Sequence, residues 1–258
     1  MTVSFSLEDH VARVSIDRPE RMNAVDDATW DALEDIWQKI EADNDVRVVV
    51  LTGSGEKAFC AGADMKGGNA LSGLEYWENI RPGGFGGLTL RKSLHVPVIA
   101  RVNGLAVGGG FELVLGCDIV VAAEHASFGL PEARVGRMPL DGGMIVLPRM
   151  IPQKVAMGML MTGNRISAQE AQSYGLVNEV VPADELDAVV DNWVADILKC
   201  APLSVKAIKE SVKETIDLPV DEAMARRLPA LVAALESEDA DEGPRAFREK
   251  REPDWKGR

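Results

Sequence analysis

The chain is poor in the residues that most hydrolytic and metal-dependent chemistry needs. Its three histidines, His10, His95 and His125, are scattered, with no HExxH and no i, i+4 pair to hold zinc. Cys60, Cys117 and Cys200 are odd in number and form no CxxC pair, which argues against a disulfide framework and a zinc ribbon and fits reduced thiols. No GxSxG turn is present to expose a nucleophilic serine. No apolar run approaches the ~18 residues of a membrane span, and MTVSFSLEDH carries acids where a targeting segment would carry basic residues. A cytoplasmic location is the resulting expectation. Basic residues are also outnumbered, 28 Lys and Arg against 41 Asp and Glu, for a net charge of -13. Nucleic acid and anionic membrane would repel such a chain, so neither is expected as a partner. A polyanionic ligand would need a local basic patch, and Arg245, Arg248, Lys250, Arg251, Lys256 and Arg258 offer one at the C-terminal end. A solvated basic tail is the other reading of that stretch.

What is present suits an enzyme of α/β type. With 258 residues and 46% hydrophobic content the chain can bury a substantial core. Val3 to Asp17 alternates apolar and polar residues on both sides of Glu8, Asp9 and His10, which predicts an opening hairpin. Asp26 and Asp27 offer caps for a helix whose Trp30, Leu33, Trp37 and Ile40 share one face. Val46 to Thr52, Pro97 to Val102 and Asp118 to Ala122 read as buried strands, each next to glycine-rich or helical sequence, which predicts parallel pairing. After about Ala183 the strand signals cease. Leu186, Val189, Val190, Trp193 and Ile197 mark a helix, and helical sequence continues to the end. The expected division is therefore a core over residues 1–195 and a helical region over 196–258 that needs a surface to cover, such as a neighbouring subunit.

Two glycine-rich turns follow probable strands: AFCAGAD from Ala58 to Asp64, and NGLAVGGGFEL from Asn103 to Leu113. Small residues let main chain approach a ligand. Helical sequence resumes at Phe111, so amides near Gly109 and Gly110 are candidate donors to a developing oxyanion, although such a run also serves packing. Gly104, Gly108 and Gly110 also have the spacing of a reductase-type dinucleotide turn, with Glu124 twenty positions after Gly104. The Tyr-x-x-x-Lys pair of short-chain reductases is missing, because Tyr76 and Tyr174 are followed four positions later by Ile80 and Asn178. Glu112 falls in the first turn after the glycines and Glu132 follows Pro131 in SFGLPEARVG. Either acid alone has an ordinary explanation, as a helix-dipole partner or a solvated loop carboxylate. Together with two oxyanion-type turns they form a candidate acid-base pair.

AFCAGAD, NGLAVGGGFEL, CDIVVA, ASFGLPEARVG, MTGNRISAQEAQSYGLVNEVV and EGPRAFREKREPDWKGR, in this order, resemble the enoyl-CoA hydratase/isomerase (crotonase) family from about Val3 to the last residue. The resemblance implies an α/β crotonase-like fold of repeated ββα units with a C-terminal helical trimerisation region, assembled as a homotrimer or a dimer of trimers. It implies an acyl-CoA substrate, with coenzyme A as part of that substrate and no permanently bound cofactor. Carried over position by position, the amides of Ala63 and Gly109 form the oxyanion hole. Glu112 then positions and deprotonates water for attack at the β carbon, while Glu132 delivers a proton to the α carbon. Main chain at Ala61, Asp64, Met65 and Lys66 cradles the adenine. Lys66 and Lys250, the latter from an adjacent subunit, meet the CoA phosphates. The implied reaction is reversible hydration of a 2-enoyl-CoA; a double-bond isomerase and a CoA-binding member with another activity are the alternatives.

PGGFGGLT from Pro82, the phenylalanine of GGGFEL, SFGLPEA and the C-terminal segment resemble the carnitinyl-CoA dehydratase branch more than the short-chain hydratases. A departure occurs at Met138 to Gly143, where MPLDGG replaces an IPGAGG type of turn. Phe85, Leu140 and Asp141 are accordingly expected in the acyl pocket. A trimethylammonium group is recognised by aromatic faces and negative charge, which Glu75, Tyr76, Trp77, Glu78, Phe85 and Asp141 could supply. Alternatively Tyr76 and Trp77 pack a helix and Asp141 caps the next one.

Overall fold

Val3–Glu8 (β1) and Val11–Ile16 (β2) pair antiparallel in full register, and Asp9 and His10 close the hairpin with left-handed φ of 47° and 69°. Residues 2–65 and 72–258 are described in this structure, a computed structural model. Asp26 then caps Asp27–Ala42 (α1) by accepting from the Thr29 amide, and Trp30, Leu33, Trp37 and Ile40 are all buried along its inner face.

The rest of the core repeats one unit. Val48–Gly53 (β3), Val98–Val102 (β5) and Ile119–Ala123 (β7) lie side by side and parallel in a large sheet. Each is followed by a three-residue strand that leaves for a second sheet: Ala58–Cys60 (β4), Leu105–Val107 (β6) and Ser127–Gly129 (β8). Helices come next, Gly73–Glu78 (α2) after β4 and Gly109–Leu115 (α3) after β6. Gly143–Met150 (α4), Gln153–Thr162 (α5) and Ala168–Ser173 (α6) follow β8, with Ile166–Ser167 (β9) before α6 and Glu179–Val181 (β10) after it. The six-stranded sheet has the order β1-β2-β3-β5-β7-β10 and the four-stranded sheet β4-β6-β8-β9. The apolar runs of β3 and β5 are buried on both faces, as parallel strands covered on both sides must be.

One side of the large sheet packs on α1, α3 and the small sheet, with Trp37, Phe59, Phe111 and Phe128 fully buried. The other side packs on Leu186–Leu198 (α7), where Leu186, Val190 and Val194 meet Val11, Val48, Val50, Ile99 and Val121. The expected boundary at 195/196 thus falls inside α7. Pro202–Thr215 (α8), Val220–Ala225 (α9), Pro229–Leu235 (α10) and Glu238–Glu249 (α11) complete the chain. Lys209 of α8 ties this region to the core, donating to Asp118 at 2.6 Å and to the Val96 carbonyl at 2.7 Å. Ile208, Val212, Ile216, Val220 and Met224 remain exposed. Among the described residues no helix is long and apolar enough to cross a membrane.

Candidate active site

The two glycine-rich turns end up against each other because β4 and β6 are parallel neighbours in the small sheet. After β4 the chain pairs briefly with Val25: the Val25 amide donates to the Gly62 carbonyl and the Asp64 amide to the Val25 carbonyl, each at 2.9 Å. Alternation along extended chain then turns the intervening Ala63 amide the other way. After β6 the chain enters α3 at Gly109, two residues earlier than the sequence pattern predicts, so Gly109 occupies the first helical position and its amide has no partner within the helix. A Cβ on Gly62 would lie 3.2 Å from the Gly109 nitrogen. Neither the Ala63 nor the Gly109 amide donates to an acceptor among the described residues. The sequence thus brings two unspent donors to one place, where a thioester oxygen could receive both.

Glu112, on the first turn of α3, is buried, and its Oε1 accepts from the amides of Asp141 and Gly143, each at 2.9 Å. Those amides belong to the MPLDGG turn, so this departure from the usual motif holds the glutamate with its main chain. Burial, followed by the charge of Asp141 and then Glu132, pushes the Glu112 carboxyl up to about 8, even though the two amides pull the other way. Glu132 begins the one-turn 3-10 helix Glu132–Val135. Its Oε1 would be 3.0 Å from a Cβ on Gly108, at a φ of 58° that favours glycine, so this carboxyl lies over the turn that starts α3. Its Oε2 is buried and unpartnered. Burial raises its proton affinity as well, and the charge of Asp141 adds to that. The two glutamates therefore meet across the amide-lined turns, in a setting where at least one of them keeps its proton near neutrality.

Phe85 and Asp141 are also brought to this place, and both are buried. The Phe85 ring packs edge-on to Trp30, 5.2 Å between centroids, and lies against Gly109. Its loop is pinned from below: the Trp37 indole donates to the Gly86 carbonyl at 2.7 Å, and Arg91 bridges Glu34 and Glu41. The Tyr76 hydroxyl donates to Asp141 Oδ2 at 2.6 Å, while Asp141 Oδ1 is buried without a partner. Asp141 does not cap α4, whose first position is preceded by Gly142 with no side-chain cap. Leu140 is half-buried in the same turn. Trp77 is 59% exposed and belongs neither to this cluster nor to a packed helix face. Tyr76 is brought here as its aromatic character suggested, and Trp30 is a wall residue that sequence reasoning did not place here. The helical spacing of Trp30 marked only its burial.

The expected CoA-binding segment lies at the mouth of the first turn. The Ala61 amide is spent on the Met22 carbonyl at 3.0 Å. The Asp64 carboxylate pairs with Arg18 at 2.9 Å, and Arg18 also pairs with Asp26, which fixes the turn to the start of α1. Met65 is 69% exposed. Lys66 lies outside the described residues. Lys250 is exposed, in the left-handed position that ends α11. The tail beyond it is clamped: the Asp239 carboxylate accepts from the Lys256 and Gly257 amides, and Glu242 pairs with Arg251.

A match to the enoyl-CoA hydratase/isomerase family model spans residues 6–258. The chain belongs to this family. It is 43% identical to the carnitinyl-CoA dehydratase of Salmonella heidelberg over 252 residues, which cover 96% of this chain and 95% of that one. Among solved structures it is similar to the enoyl-CoA hydratase from Bacillus anthracis, with a TM-score of 0.92, 37% identity and full coverage of both chains. The enoyl-CoA hydratase from Mycobacterium tuberculosis superposes with a TM-score of 0.89 at 34% identity, covering 100% of this chain and 99% of that one. The mixed α/β architecture with parallel sheets is accordingly that of crotonase-fold hydratases, and the chain is an enzyme of the lyase type.

Proposed function

We propose that the protein catalyses the reversible addition of water to a 2-enoyl-CoA, with Glu112 and Glu132 as the acid-base pair and the Ala63 and Gly109 amides as the oxyanion hole. The juxtaposition of Glu112 and Glu132, whose proton affinities are both raised by burial, with two amides that have no acceptor among the described residues carries this reading. As water leaves from or adds to the β carbon, negative charge builds on the thioester oxygen. A preorganised donor there is worth roughly 3 to 4 kcal/mol. One proton is shared between the carboxyls. In dehydration Glu112 gives it to the departing hydroxyl while the Glu132 carboxylate takes the α proton; in hydration the same path runs backwards, with Glu112 taking a proton from water and Glu132 supplying the α carbon. Glu112 is the more deeply buried of the two, so in the resting site the proton sits there, which suits the dehydration direction. No resident cofactor is needed, since coenzyme A arrives on the substrate. Main chain at Ala61, Asp64 and Met65, with Lys66 and a neighbouring subunit's Lys250, is the proposed CoA contact.

For the acyl group we favour a carnitinyl or crotonobetainyl chain. The relative carrying that activity in its name is 43% identical over nearly the whole length. Asp141, Tyr76 and Phe85 offer negative charge and aromatic surface at the site. A general enoyl-CoA hydratase is the second reading, favoured by the named structural neighbours. Steady-state assays with crotonobetainyl-CoA and a neutral enoyl-CoA of matched shape separate them: preference for the cation supports the first, equal or faster turnover of the neutral ester removes it. The exposed apolar residues along α8 and α9 support a homotrimer or dimer of trimers, because a surface of that kind needs covering. The unpaired thiols support a cytoplasmic location.

A further inference from the structure

We infer that Asp141, held by the Tyr76 hydroxyl and carried on the turn whose amides grip Glu112, is a positioning residue that keeps the catalytic proton on Glu112. The inference rests on the reading of Glu112 and Glu132 as an acid-base pair. Its geometry is specific. The Asp141 amide donates to Glu112 Oε1 at 2.9 Å, so the Glu112 carboxyl is fixed to the turn that carries Asp141. Tyr76, 65 residues away in sequence, donates to Asp141 Oδ2 at 2.6 Å. Burial and the adjacent Asp141 together raise the proton affinity of that phenol, so it acts as donor and not as phenolate.

A hydroxyl donor favours the ionised form of Asp141 and offsets part of its burial, as does the backbone of Phe85. Burial raises the proton affinity of Asp141, these two donors oppose that rise, and the charge they favour on Asp141 pushes Glu112 beside it to hold a proton. Glu132 is raised first by its own burial, and the charge of Asp141 adds to that. Arg81, which lowers the proton affinity of Tyr76, is itself paired with Asp27 and Asp31 at 2.8 and 2.7 Å. Among the described residues, none of the three carboxyls makes an ion pair. These three acids have no cation in contact among the described residues, and the Tyr76 hydroxyl is the side chain that hydrogen-bonds Asp141.

Two variants test this with one signature. In Asp141→Asn the backbone amide to Glu112 is retained while the charge is removed. In Tyr76→Phe the donor is removed, so Asp141 itself takes up a proton and its charge is lost. The alkaline limb of kcat/KM should move down by about one pH unit or more in both. A pH titration by infrared spectroscopy should show the protonated-carboxyl band that is missing in Glu112→Gln disappearing at correspondingly lower pH. An unmoved limb and band in either folded variant, or an upward move in Tyr76→Phe, would overturn the inference. The infrared titration needs no turnover. A wild-type protein inactive on every enoyl- and hydroxyacyl-CoA would therefore sink the proposed reaction while leaving this inference to be judged on the band alone.

Discussion

The Phe85 ring lies so close to Gly109 that a Cβ placed on this glycine would come within 2.5 Å of the ring carbons. Phe85 cannot retreat easily, since Trp30 packs against its other side and Trp37 and Arg91 hold its loop. Gly109→Ala should therefore shift the turn that presents the Gly109 amide. We expect kcat to fall by about 10² to 10³, the loss associated with one oxyanion donor, with the circular dichroism spectrum retained. A kcat within a few-fold of wild type would mean that the Gly109 amide is not such a donor.

Glu112 should cost stability for the sake of chemistry. Its carboxyl is raised to about 8 in the folded protein from an ordinary 4.5. The folded form therefore binds the proton more tightly than the unfolded chain, and stability is lost as pH rises between those values. Glu112→Gln keeps an oxygen to accept from the Asp141 and Gly143 amides and never ionises. We expect its melting temperature to exceed that of wild type at pH 8 and above, by about 2 to 4 °C for each kcal/mol recovered, with the advantage shrinking toward pH 5. An equal or lower melting temperature at pH 8 would contradict a strained carboxyl here.

The outer apolar stripe of α8 and α9 gives a third test. Ile216 is 74% exposed and Val220 79%. If this stripe meets a neighbouring subunit, Ile216→Asp places a charge in the contact and light scattering should report a smaller species than wild type. A wild-type protein that is already a stable, fully active monomer would remove both the assembly and the use of Lys250 across subunits.

Most of the large sheet was readable from residue pattern, because β3, β5 and β7 carry consecutive apolar residues and because β1 and β2 alternate on both sides of the turn at Asp9 and His10. The second sheet was not. Strands β4, β6 and β8 are three residues long, too short for any alternation, and exist because parallel neighbours complete their hydrogen bonds. Glu112 and Glu132 were legible as a pair only in company with the glycine turns and the family resemblance. Asp141 was legible as an acid in an altered turn, but its bond to Tyr76 spans 65 residues, and nothing in either local pattern announces it. The early start of α3 at Gly109 was hidden for a related reason: glycine has low helix propensity, and only the packing of Phe85 and Cys60 against Gly109 and Gly110 explains why nothing larger stands there.

The shared acid-base role of Glu112 and Glu132 is tested most directly by measuring kcat for dehydration of a 3-hydroxyacyl-CoA in Glu112→Gln and Glu132→Gln, alongside affinity for a CoA ester. General acid-base groups contribute roughly 10² to 10⁴ in rate. We expect each variant to lose at least about a hundredfold in kcat with ester affinity largely retained. Normal turnover in either purified, folded variant would contradict the two-glutamate mechanism.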